Sequence, residues 1–127
     1  MKRVSFPLAA AAAFLGWTGS AQALPPEVAC YVETPALDQF TRPVCSDSHY
    51  SVGTTTAVFE VFNLAAGVAY TLDWDHAGCI DDEVQCVLPI ASSTVSGSMI
   101  NVTVTVTNLA TSEVTVTSVR ARNLVDP

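Results

Sequence analysis

Residues 96–125 constrain the fold more than any other part of the chain. Ile100, Val102, Val104 and Val106 alternate with Asn101, Thr103, Thr105 and Thr107, and a second run follows through Val114 and Val116. Alternation of period two among β-branched residues turns apolar side chains to one face of a strand and hydroxyls to the other. An antiparallel hairpin is expected, with arms at 99–107 and 113–125 and a turn at 108–112. The second arm loses clean alternation near Ser118, where Val119 and Ala121 take over from Val114 and Val116. A β-bulge is expected there.

The rest of the chain reads the same way. Residues 54–64, rich in Thr, Val and Phe, form one strand, and in the next Tyr70, Leu72 and Trp74 oppose Thr71, Asp73 and Asp75. These two strands are expected to pair as neighbours. Residues 28–34 form a first strand that Pro35 ends, and residues 87–91 form a short one that Pro89 confines to an edge. Residues 36–51 contain Pro43 and show no sustained period, so they are expected to form a loop with one helical turn at most. No helical period appears after residue 23. The fold class is therefore all-β, a small antiparallel β-sandwich.

Lys2 and Arg3 precede an apolar run over residues 4–17 that is too short to span a bilayer, and Ala21-Gln22-Ala23 has the small-x-small pattern of a cleavage site. Residues 1–23 are expected to be a signal peptide cleaved near Ala23. Residues 24–127 then form a single domain, secreted or periplasmic, with no membrane insertion. In an oxidising compartment Cys30, Cys45, Cys79 and Cys86 imply two disulfides. Of three connectivities, Cys30–Cys45 with Cys79–Cys86 is favoured because each pair is nearest in sequence and flanks a loop-like segment. Sequence alone does not decide between them.

Beyond residue 23 the chain has no lysine and carries Arg42, Arg120 and Arg122 against twelve carboxylates, a net charge of −9. Such a field repels phosphate backbones and anionic lipid heads, which excludes nucleic acid as an expected partner. A cationic partner suits it. The plain alternative is that acidity keeps an exported protein soluble.

Tyr70-Thr71-Leu72-Asp73-Trp74-Asp75, preceded by an apolar strand and followed by the Val-Thr strand, resembles the immunoglobulin-like and PKD-like β-sandwich domains of exported bacterial proteins. The resemblance covers residues 54–123. It implies that Trp74 fills the space between two sheets, and that the module serves adhesion, spacing, or protein and glycan contact.

The densest polar chemistry lies in Asp73, Asp75, His76, Asp81, Asp82 and Glu83, around a cysteine pair. Calcium is the cation whose oxygen ligands such a loop could supply, with Asp73, Asp75, Asp81, Asp82 and Glu83 as candidates. The EF-hand pattern fails, since Ala77 and Val84 stand at its fifth and twelfth positions. His49 and His76 are the only histidines, too few for zinc once the cysteines are paired. No nucleophile motif appears, so neither an enzyme nor a required cofactor is expected. Phe40, Tyr50 and His76 are the candidate partner-binding side chains. Two functions follow: a non-catalytic module for protein or glycan binding or structural spacing, or an inhibitor of a cationic exported hydrolase that inserts the acidic, disulfide-closed loop. A dimer through the closing hairpin is a further expectation, since Val-Thr strands can pair with a second copy.

Overall fold

The computed structural model describes residues 24–33, 39–49, 53–91 and 98–125. The proposed signal peptide and Tyr50 lie outside the described residues. Among the described residues seven strands occur in chain order: β1 (Glu27–Val32), β2 (Val44–His49), β3 (Thr54–Phe62), β4 (Tyr70–Trp74), β5 (Gln85–Ala91), β6 (Ser98–Asn108) and β7 (Val114–Val125). They form a three-stranded sheet ordered β1-β3-β5 and a four-stranded sheet ordered β2-β7-β6-β4. No helix occurs among the described residues.

Alternation explains how the sheets meet. Cys86, Leu88 and Ile90 of β5 are buried, while Gln85, Val87, Pro89 and Ala91 are exposed. Val28, Phe59, Val61 and Ile90 of one sheet share a core with Leu72, Trp74, Val102, Val104, Val106 and Val119 of the other. Trp74 is only 5% exposed, in the core between the two sheets. Burying side chains of this size stabilises by about 1.5–3 kcal/mol each. The Cys30–Cys45 disulfide joins β1 to β2, and so one sheet to the other.

Three expectations are corrected. β3 and the strand after it do not pair: β3 lies between β1 and β5, whereas β4 lies beside β6 in the opposite sheet. The connection over residues 63–69 is an arch between sheets, with Asn63 and Gly67 in the left-handed region at φ 68° and 76°. A hairpin would have left both apolar faces on one side of the core. The segment after Pro43 is not a loop throughout: β2 runs parallel to β7, pairing Val44 with Arg120 and Cys45 with Ala121, so the architecture is not purely antiparallel. Its residues lack an apolar period because it is a short edge strand, placed by its disulfide and by β7.

The third correction concerns the hairpin. β6 and β7 keep one register from Ser98–Asn123 to Thr107–Val114, and no bulge interrupts it. Thr115 and Thr117 therefore share the inward face with Val119, Ala121 and the fully buried Asn123, while Val114 and Val116 point outward at 57% and 64% exposure. The inward polar groups have work across the core. Thr117 Oγ1 accepts the β1 hydrogen bond from Val28 N (3.1 Å), and Asn123 Nδ2 donates to Ile90 O on β5 (2.9 Å). These bonds satisfy Thr117 Oγ1 and Asn123 Nδ2, while Asn123 Oδ1 is buried without a partner among the described residues, so they lower the cost of turning these residues inward without removing it.

Candidate functional site

Among the described residues β4 ends its sheet, so the N–H and C=O groups on its outer side have no strand partner there. The acidic loop folds back over that edge. Asp82 Oδ1 accepts from Leu72 N (2.9 Å) while Asp82 N donates to Leu72 O (2.8 Å), as a paired strand would. Asp81 Oδ1 accepts from Trp74 N (3.0 Å), and the Trp74 indole Nε1 donates to Glu83 O (2.9 Å). One residue further, on the inner side, Asp75 Oδ1 accepts from Thr103 N of β6 (2.8 Å) and Asp75 N donates to Thr103 O (3.0 Å). Covering an edge in this way removes a template for unwanted strand pairing.

The loop is also closed on itself. Cys79–Cys86 anchors it to β5 with a Cα–Cα distance of 5.2 Å, and Glu83 N donates to Ile80 O (3.2 Å) to form the turn. Asp82 takes the left-handed conformation of that turn, φ 68°, which aspartate tolerates. Before it, Cys79 N donates to His76 O and Gly78 N to His76 Nδ1, each at 3.0 Å. A Cβ on Gly78 would stand 2.6 Å from Leu88 Cδ2, so a larger residue there would make the Leu88 side chain shift. Ile80 projects from this frame at 69% exposure, with Val84 beside the turn at 43%.

The five acidic candidates thus separate. Asp75, Asp81 and Asp82 accept backbone hydrogen bonds, whereas Asp73 points outward from β4 and Glu83 contributes its backbone. Among the described residues no group of three or more His, Cys, Asp or Glu side chains is placed to hold a metal ion. His76 is part of the turn. Phe40 lies elsewhere, on the outer face of the three-stranded sheet, edge-to-face with Tyr31 (4.8 Å between centroids) and Phe62 (5.0 Å). A shallow depression of 400 Å³ there is bounded by Phe40, Phe62, Ala29 and the Arg42–Glu27 ion pair. Phe40 packs against β1 and β3, whereas the acidic loop is tied to β5 at the other edge, so these candidates do not form one site.

A cleft of 300 Å³ opens at one end between Leu24, Pro26, Tyr70, Val106 and Glu113. Its polar groups are largely engaged locally: Tyr70 Oη accepts from Ala65 N, Asn63 Nδ2 donates to Pro25 O, and Asn108 Oδ1 accepts from Ala110 N. Sequence reasoning passed over Ile80, although an aliphatic residue between a cysteine and two aspartates in a short closed loop has little room to turn inward.

The class these features define is an all-β, two-sheet protein with two disulfides and a covalently closed acidic loop. Comparison with protein-family models, curated proteins and solved structures finds no match. Among the described residues no helix is long and apolar enough to cross a membrane.

Proposed function

We propose that the protein is an exported, non-catalytic binding module that contacts a protein partner through the loop over residues 79–86. The observation that carries this reading is the presentation of Ile80: an aliphatic side chain 69% exposed on a turn held by a disulfide and by the hydrogen bonds of Asp81, Asp82 and Glu83. A rigid apolar anchor loses little entropy on docking, which favours tight contact. Protein is preferred to glycan because sugars stack on open aromatic faces. Among the described residues the large exposed hydrophobic side chains are aliphatic: Ile80, Val84, Val87, Met99, Val114 and Val116 are among them. The two disulfides suit an oxidising compartment.

Strand order supports an immunoglobulin-like assignment. β1, β3 and β5 stand as A, B and E, and β7, β6 and β4 as G, F and C, with β2 as an added first-strand segment beside G. The inhibitor reading is a narrower form of the same proposal, favoured by the same preorganised tip. Ile80→Asp and Glu83→Gln test it without removing the edge-capping carboxylates. Protein captured from the exported fraction by wild type, and lost with Ile80→Asp, supports the proposal; inhibition of a cationic hydrolase lost in the same variant supports the narrower form. Capture that is indifferent to Ile80→Asp, or binding on a glycan array alone, overturns it.

A further inference from the structure

We propose that the outward face of the four-stranded sheet is the contact surface of a homodimer in which Arg120 of each copy meets Asp73 of the other. This rests on the register of the strands and not on the acidic loop. The middle of the face is neutral and partly apolar: Thr105 and Thr107 stand across from Val116 and Val114. Its charges are divided. Arg120 and Arg122, two of the three arginines beyond residue 23, point out from β7, whereas Asp73 points out from β4 on the far side of β6.

Among the described residues these charges have no ion-pair partner. The one ion pair among the described residues is Arg42–Glu27. Asp73 pairs with Thr105 and Arg120 with Asn101, so the two ends lie two strands apart and four residues out of step. That is roughly 10 Å across the sheet and 13 Å along it, too far for a pair within one copy. Arg120 is oriented nonetheless, because its Nε donates to Asn101 Oδ1 at 2.8 Å.

A twofold axis lying between two such faces exchanges the two ends. Midway between Arg120 and Asp73 lies Thr103 of β6, so an axis through Thr103 sets each arginine over the other copy's aspartate. An axis on β6 sets β4, β6 and β7 against one another and leaves β2 outside, so at about 4.8 Å between strands and about 3.4 Å per residue the facing area is at most roughly 450 Å² per copy. About 900 Å² in total is below what stable specific interfaces bury, so the dimer is a weak, transient one. A groove of 240 Å³ along Pro43, Val44, Ser118 and Arg120 leaves room for side chains of the second copy. β6 and β7 are both interior strands, so the expected contact of the closing hairpin has to be made by its face and not by its edges. Such a dimer displays two acidic loops, and avidity for a multivalent partner follows.

Sedimentation equilibrium on the oxidised protein as exported, after the expected cleavage near Ala23, over a concentration series up to about millimolar, tests this. Wild type is expected to dimerise. Arg120→Asp and Asp73→Arg should each weaken association by about tenfold or more, and the double swap Arg120→Asp/Asp73→Arg should restore it. Both side chains are exposed, and circular dichroism matched to wild type verifies the fold. Thr103→Cys supplies a second readout, since a cysteine on the axis meets its own copy and oxidises to a covalent dimer. A monomer throughout the series overturns the proposal. So does association that ignores charge reversal, or a Thr103→Cys protein that gives no covalent dimer.

Discussion

The two disulfide-closed segments share one chemistry and do different things. Cys30–Cys45 closes a sequence separation of 15 and Cys79–Cys86 one of 7, yet loop-closure entropy is logarithmic, so the two constraints differ by only about 0.7 kcal/mol. Burial separates them. Cys30 and Cys45 are 0% and 4% exposed inside the core, where their bridge joins the two sheets, while the shorter bridge has Cys79 only half-buried at the base of a surface turn. The first bridge holds the fold together; the second shapes what the fold displays. Cross-linking therefore has to be judged by where the sulfurs sit and not by loop length alone.

The largest effect should come from breaking the first bridge. Cys30→Ala/Cys45→Ala is expected to lose about 4 kcal/mol, the loop constraint plus a cavity between the sheets, as read from urea unfolding. A loss under 1 kcal/mol would mean that β2 is held by β7 alone. Cys79→Ala/Cys86→Ala should lose about 2 kcal/mol while its near-ultraviolet dichroism stays native-like, with hydrogen-exchange protection falling mainly at Leu72 and Trp74. Equal loss of protection throughout the core would abolish the distinction drawn between the bridges. The smallest effect sharpens it. Asp82→Ala should cost about 1–2 kcal/mol and Asp82→Asn only a few tenths, because asparagine keeps an oxygen for Leu72 N. The cost should be the same in millimolar calcium and in chelator. An asparagine variant as unstable as the alanine one, with wild-type stability that depends on calcium, would turn the edge cap back into a metal site.

Local pattern carried much of this architecture. The alternating runs at Ile100–Val106 and Tyr70–Trp74 announced half-buried strands, Pro89 announced an edge, and the even cysteine count announced two bridges. The site was legible only as composition. The hydrogen bonds of Asp81 and Asp82 were not legible, because a sequence does not show that the edge of β4, several residues earlier, has N–H groups in want of acceptors. Val114 and Val116 read as core for a similar reason. Each side chain was assigned by its own hydropathy, when the face it occupies depends on the partner strand.

What the sequence by itself determined is the set of strands with a strong period, the all-β class and the chemical means of closing two loops, since each follows from neighbours along the chain. Tertiary structure alone decided that β3 and β4 belong to different sheets, that β2 forms beside β7, that Thr117 and Asn123 face inward, and that the acidic loop closes an edge and leaves Ile80 outside. Those outcomes depend on hydrogen bonds such as Asn123 to Ile90 and Asp82 to Leu72, whose two ends come together only when the sheets do.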